Sequence, residues 1–530
     1  MKTIHPLKLE EMTLEQKIGF LIAFRKSHNT TADDLEFLRE MIKKRCVGAV
    51  QIAVKPGCED DVREIVELAD YPILIGADME QGFQLSSYHI PSMMGLSITN
   101  DEELAYQFAA VTAIGAKKLG YNMIWSPVVD LLSGGSRINV GRRISDDKEK
   151  VGRIASAVLR GYYDNGVLAT AKHWPTPYDV SRDGHLFKNF SQLTEKDLRE
   201  NVFYPYRYAM KHAGLAGIMT GHTTFVNVDP EYPGTLSEKL ISIVREEGFD
   251  GFMITDSFSM SGIMQKFGED KLYGRAIKAG NDMILHNFKT PFRKVYEMMM
   301  NAYQTGAISE ERLNDAVRHV LAAQELAMKP ATATEVSEYQ KECFTRIAQQ
   351  SVCDVVDEGV SHAMDKATKK LFLVLLENPY TGEDGGSVEI ADNNVISYEQ
   401  YPAIKEMILS RFPDSDIQFL NRCPNSAQMS NASYRATQVD EVVFITYVRS
   451  GAYTGSENLT EPIVTLMQSV EEKLGAVIHV GNPFAMERIP HVPRLVLSVG
   501  GGVKAIENGL SILNGEYIPK GKLPIHLSLA

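Results

Sequence analysis

Residues Lys172 to His185 read KHWPTPYDVSRDGH. Two histidines, two aspartates, a lysine and an arginine fall within one short segment that also holds two prolines. The segment follows NGVLATA, an apolar run of strand character, so these ionisable groups emerge where a buried strand ends. Other apolar runs close in the same way. Asp78 and Glu80 end ILIGADME, Asp130 ends SPVVD, His222 ends IMTGH, Asp256 ends FMITD and His286 ends DMILH. One polar residue at a strand end means little, because a chain turns polar as it enters water. Asp, His and Lys recurring at that point of strand after strand indicate a single face on which a site is assembled.

The residue types narrow the chemistry. HExxH, GxSxG and P-loop patterns are absent, and no histidines and cysteines cluster at metal spacing. A strand-end carboxylate, a His–Asp pair on a loop and several groups that bind hydroxyls or amides suit glycosyl transfer. There a carboxylate attacks or stabilises the anomeric carbon while another group protonates the leaving oxygen. No metal or organic cofactor is implied.

These residues need a scaffold that brings distant strand ends together. Seven runs read as strands: 47–54, 71–79, 122–131, 167–173, 216–224, 251–257 and 281–287. Amphipathic stretches such as TNDEELAYQFAAVTAIGAKKLG separate them, and alternation with nearly continuous apolar strands predicts parallel pairing under helices. Seven or eight such units predict a (β/α)8 TIM-type barrel over residues 1–335, with an open doubly wound sheet as the structural alternative. Residues 336–365 read as a linker with a helix. Residues 366–530 read as a smaller three-layer α/β sandwich built on KLFLVLLEN, DIQFLNR, EVVFITYV, AVIHVGNPF and RLVLSVGG. The Gly-rich turn into GGGVKAIENGLSILNG lacks GxGxxG and comes late in that domain, which argues against a dinucleotide site.

Bulk composition excludes several classes. A hydrophobic content of 44% permits a large core, and a formal net charge of −13 argues against nucleic-acid or anionic-membrane partners. The five cysteines are scattered without CxxC, which fits a reducing compartment and argues against a disulfide framework. The charged N-terminal stretch lacks an apolar h-region and no run approaches a membrane span, so a cytoplasmic location is expected.

KHWPTPYDVSRDGH resembles, without a gap, the signature KHFPGHGxxxxDSH of the β-N-acetylglucosaminidase branch of glycoside hydrolase family 3. MITDSFSM resembles that family's nucleophile segment. MTLEQKIGFLI, GADMEQG, NVGRRISDDKE, DPEYPGTLSEKLI and the tail GKLPIHL resemble further family segments in order. The resemblance covers most of the chain. It implies a retaining, exo-acting enzyme on cell-wall or chitin-type amino-sugar fragments, working through a covalent glycosyl-Asp. Asp256 would be the nucleophile and His185 the general acid/base, oriented by Asp183. Asp78, Lys172 and His173 would bind sugar hydroxyls, and Arg142 would match the substrate-binding arginine, with Arg143 as its rival. His222 matches a position near the site, the other reading being a core histidine satisfied by hydrogen bonds. Met260 would pack the pocket floor.

A histidine suits the acid/base role because an unperturbed imidazole titrates near pH ~6.5, and an adjacent aspartate fixes its tautomer. A neutral base also puts no negative charge beside the acceptor, so phosphorolysis stays open beside hydrolysis. Three departures from the family pattern bear on the sugar. Pro175-Thr176-Pro177-Tyr178 replaces PGHG, which predicts a loop that moves less or a site lined by Tyr178. Glu80-Gln81-Gly82-Phe83-Gln84 lacks the family arginine, and Arg143-Ile144-Ser145 replaces RSFG. A catalytically silent sugar-binding protein is the reading from another class. The second domain is read as a dimer-forming surface or a cover over the barrel mouth. Its loop 449–459 offers Arg449 and Glu457 as groups that reach the sugar or stand on a solvated surface.

Overall fold

Thr13 and Thr31 close capping boxes with Gln16 and Asp34, which start the helices Leu14–Phe20 and Ala32–Lys43 on either side of the first strand. The computed structural model describes residues 3–132, 137–264, 267–356, 363–376, 396, 398–448 and 457–529. Contacts divide the chain into two units. The first holds residues 1–89, 102–136 and 147–341; the second holds 90–101, 137–146 and 342–530.

The strands of the first unit are β1 (Ile22–Lys26), β2 (Ala49–Ile52), β3 (Leu74–Ala77), β4 (Met123–Ile124), β5 (Leu168–Trp174), β6 (Phe190–Ser191), β7 (Gly217–Thr220), β8 (Thr224–Phe225), β9 (Phe252–Thr255) and β10 (Ile284–Leu285). Eight of them form one parallel sheet in the order β10-β1-β2-β3-β4-β5-β7-β9. A bridge between Ile254 and Met283 joins β9 to the segment entering β10 and nearly closes the ring. The predicted barrel is therefore present. The barrel strand that the sequence reading did not find is β1. It begins two residues after the helix Leu14–Phe20 ends, with no Gly or Pro between them, so its apolar run merges with that of the helix. The short strands β6 and β8 pair outside the barrel and tie the segment after His185 to the loop leaving β7.

At the entry to β10, Asp282 is fully buried and bonds Arg312 Nη2 at 2.5 Å, His319 Nδ1 at 2.9 Å and the Met253 amide at 2.8 Å. Asp282, Asp315 and His319 lie close enough to chelate an ion. Arg312 pairs with both carboxylates and Arg245 with Asp282, so guanidinium charge already fills the role an ion would have. This network lies at the N-terminal ends of the strands, opposite their C-terminal ends, where barrel sites assemble.

The second unit holds β11 (Val352–Asp354), β12 (Lys370–Leu376), β13 (Asp416–Asn421), β14 (Glu441–Val448), β15 (Leu474–Gly481) and β16 (Arg494–Ser498), in the order β11-β16-β15-β14-β12-β13. All pairs are parallel except β11 with β16. Phe372, Val374, Ile445, Ile478 and Val480 share a core with Ile404, Ile408, Ile506 and Leu510 of the helices Tyr401–Arg411 and Gly502–Leu513. Alternate residues such as Leu371, Leu373, Val442 and Phe444 are buried on the other face, as a sheet covered on both sides requires. Four cysteines are buried, and Cys423 is exposed.

Candidate active site

The polar end of β5 is set by carboxylates from two other strands. The Lys172 side chain is 2% exposed, and its ammonium lies 2.7 Å from Asp78 Oδ1 and 2.6 Å from Glu80 Oε1, both just beyond β3. A buried ammonium is tolerable only with such partners. The next residue, His173, donates its backbone N–H to Asp130 Oδ1 at 2.7 Å and its ring Nδ1–H to Asp130 Oδ2 at 2.9 Å. Asp130 is 8% exposed and follows β4, the neighbour of β5. With Nδ1 committed to Asp130, His173 presents Nε2, which lies 3.9 Å from Asp256 Oδ2.

Asp256 follows β9. Its N–H donates to the Thr220 carbonyl at 2.8 Å, and its Oδ1 accepts the Ser257 N–H at 2.6 Å. Burial pushes its carboxyl up. His173, His222, the Ser257 amide and His185 together outweigh that and hold it down at about 2. Asp256 is thus an anion throughout the neutral range. The turn that follows is fixed from several sides. His222 Nε2–H donates to the Ser257 carbonyl at 3.1 Å, while its Nδ1 lies 2.8 Å from Thr235 Oγ1. Burial lowers the His222 pKa, so this ring is neutral at pH 7. Arg25 of β1 donates to Ser257 Oγ at 2.8 Å and Ser259 Oγ at 3.2 Å. Met260 is 8% exposed.

The second Asp–His pair lies on the loop after β5. His185 Nδ1–H donates to Asp183 Oδ1 at 2.7 Å, and the His185 backbone N–H donates to the same oxygen at 3.0 Å. Asp183 is 1% exposed. This arrangement commits Nδ1 to Asp183 and makes Nε2 the other ring nitrogen. The loop is bound to the turn after Asp256. The Ser261 N–H donates to the His185 carbonyl at 3.3 Å, and a Cβ built on Gly262 would meet the Phe187 carbonyl oxygen at 2.7 Å and that of Gly184 at 3.2 Å. A Cβ built on Gly184 would lie 3.8 Å from Met260 Cε, which puts Met260 against this loop. The Asn189 side chain closes the turn by donating to the Arg182 carbonyl at 2.9 Å. Tyr178, raised as a residue that lines the site, bonds Asn201.

The barrel unit thus brings together Asp78, Lys172, His173, Asp183, His185, His222, Asp256 and Met260. Arg142 and Arg143 belong to the second unit and are described with it. Arg142 ends the turn Val140–Arg142, and the Asn139 N–H before it donates to Glu457 Oε1 at 2.7 Å. Glu457 is 2% exposed and also accepts from Asn482 Nδ2 at 3.2 Å, so it stands on no solvated surface. Arg449 lies outside the described residues. His286, another strand-end histidine, is fully buried and accepts the Arg25 N–H at Nε2. Burial lowers its pKa to about 4, so it is a neutral packing residue. Sequence reasoning named Asp130 and Glu80 as strand ends but gave them no partner. The signal was there in the strand order: β4 neighbours β5, and β3 is one strand further.

Residues 13–323 match the glycosyl hydrolase family 3 N-terminal domain. The chain is 27% identical over 336 residues to a β-N-acetylglucosaminidase/β-glucosidase of Cellulomonas fimi, covering 59% of this chain and 58% of that protein. It is 32% identical over 233 residues to a β-hexosaminidase of Thiobacillus denitrificans, covering 42% of this chain and 65% of that one. The chain therefore matches less than two thirds of the length of either relative. Among solved structures, a family 3 β-N-acetylglucosaminidase from a Paenibacillus species has a TM-score of 0.80 at 24% identity, covering 98% of this chain and all of the other. A β-glucoside phosphorylase has a TM-score of 0.80 at 19% identity, covering 98% of this chain and 94% of the other. These two structures share the fold.

Proposed function

The chain belongs to glycosyl hydrolase family 3, and on that premise we propose that it is a retaining β-N-acetylglucosaminidase acting on cell-wall or chitin-type amino-sugar fragments. One observation carries the reading. An aspartate held ionised sits at a strand end, and the loop bearing an Asp–His pair is bonded to the turn that follows it. In the first step Asp256 attacks the anomeric carbon. The electron pair of the breaking C–O bond goes to the leaving oxygen, which takes the proton on His185 Nε2. In the second step neutral His185 Nε2 removes a proton from water, the water oxygen bonds the anomeric carbon, and the bond to Asp256 breaks. Two inversions retain configuration. Asp183 holds His185 in the required tautomer and stabilises its cation. Lys172, Asp78 and His173 offer donors and acceptors to sugar hydroxyls.

The test is turnover of an aryl β-N-acetylglucosaminide by the wild type and two variants. Asp256→Ala is expected to lower kcat by on the order of 10^4 or more. His185→Ala is expected to lower it by about 10^2 to 10^4, most for poor leaving groups. Equal turnover by all three would end the reading, and glycan binding without turnover would favour the silent sugar-binding protein. A second reading, phosphorolysis, is kept by the shared fold with a β-glucoside phosphorylase and by the neutral imidazole in place of a second carboxylate. Supplying phosphate and finding no sugar 1-phosphate by phosphorus NMR would reject it.

A further inference from the structure

The loop that carries His185 also exposes aromatic surface that the mechanism does not use. Phe187 is 46% exposed and Phe190 is 57% exposed; among the described residues they are the two exposed phenylalanines. Lone exposed apolar side chains are ordinary. Two rings within four residues, on a loop fastened to a catalytic turn, are not scattered. The Arg182 guanidinium lies over the Phe187 ring, 5.5 Å from its centroid. The backbone beneath is held: the Leu186 and Phe187 N–H groups donate to the Asp183 carbonyl at 3.1 and 2.9 Å, and Asn189 ties down the Arg182 carbonyl. The ring is thus displayed on a fixed frame.

We infer that Phe187, flanked by Arg182, forms a binding platform for the leaving group, selecting one with an apolar ring face, either aryl or pyranosyl. The inference rests on the reading of His185 as proton donor. A donor must come within about 2.6–3.2 Å of the glycosidic oxygen. Whatever is bonded to the far side of that oxygen therefore lies beside the loop bearing His185. Two residues along a chain place Cα atoms at most about 7 Å apart, so Phe187 is within reach of a ring attached there. A phenyl face offers such a ring stacking contact but offers nothing to a methyl group. Arg182 adds a cation that favours negative charge on the departing ring.

The experiment compares phenyl and methyl β-N-acetylglucosaminides by two readouts. One is the ratio of their kcat/KM values on the wild type, Phe187→Ala and Phe187→Tyr. The other is the ratio of their Kd values on Asp256→Asn, with and without Phe187→Ala. The phenyl-to-methyl preference is expected to fall about three- to tenfold in Phe187→Ala and to persist in Phe187→Tyr, which keeps the ring. A purely structural role for Phe187 would weaken both glycosides alike and leave the ratios unchanged. Ratios unchanged within a factor of two, or no binding of either glycoside to Asp256→Asn, overturn the platform. Loss of the binding preference in a protein that turns over neither glycoside would instead overturn the catalytic reading and leave the platform standing.

Discussion

Asp256 is a half-buried carboxylate kept charged by its neighbours, and that has a consequence for pH dependence. With its carboxyl held at about 2, Asp256 does not set the acid limit of activity in the ordinary working range. Removing a neighbour that lowers the Asp256 pKa removes part of what opposes burial. His173→Asn is therefore expected to raise the Asp256 pKa toward the ordinary carboxylate range, read by carbon-13 NMR titration of the aspartate carboxyls. Asp130→Asn, which leaves the ring but not its fixed tautomer, is expected to do the same to a smaller degree. An Asp256 carboxyl that titrates at the wild-type pH in both variants would disprove this coupling. Asp256, Asp183 and His185 could be singled out in the sequence because each lies in a short segment that resembles a family segment. The bonds of Asp130 to His173 and of Asp78 to Lys172 join residues 43 and 94 positions apart. Only the order of strands around the barrel decides such pairs.

At the scale of elements, the loop between β5 and β6 was expected to move less for want of glycines. Its bonds give that expectation a physical form. Asn189 closes the turn, Asp179 accepts from Ser191 Oγ at 2.8 Å and the Gln192 N–H at 2.9 Å, and the Ser261 N–H holds the His185 carbonyl. Gly262 is the contact point beneath. Adding a methyl there drives a carbon into two backbone carbonyls, which cannot rotate away as a side chain would. Gly262→Ala is expected to lift the loop and lower kcat by roughly 10^2, as a displacement near 1 Å at a reacting group does, with little change in Tm. Gly184→Ala meets only ordinary contacts at 3.5 and 3.8 Å, so its kcat is expected to stay near that of the wild type. Steady-state kinetics beside thermal melts of both variants checks this, and equal kcat values would count against the contact. β1 was the barrel strand the sequence concealed. Its role rests on Arg25, whose partners Ser257 and Ser259 are more than 230 residues away.

At the scale of the molecule, each unit encloses a histidine whose pKa burial lowers strongly. His286 in the first unit and His479 in the second are fully buried, and burial lowers each pKa from 6.5 to about 4. His479 is bonded to Thr446 Oγ1 at 2.8 Å and donates to the Asn482 carbonyl at 2.9 Å. The unfolded chain binds these protons more readily than the folded one. Stability is therefore whole above pH 6.5 and is lost as pH falls from there toward 4. Each histidine contributes on the order of 3 kcal/mol of loss when the fall is complete. Calorimetric melts at pH 7, 5.5 and 4.5 are expected to show Tm falling steadily, with the slope reduced in His479→Gln. A Tm independent of pH across this window would show that neither ring resists protonation.

The near-complete enclosure of Lys172 makes it a reporter as well as a ligand for two carboxylates. An acetylating reagent needs an accessible amine, and the native barrel does not supply one at this position. Surface lysines would be tagged first, while this one would gain its tag only during excursions that part it from Asp78 and Glu80. Pulsed labelling followed by peptide mass analysis would thus time the breathing of the strand ends around it. A glycoside lodged over those strand ends should slow that clock.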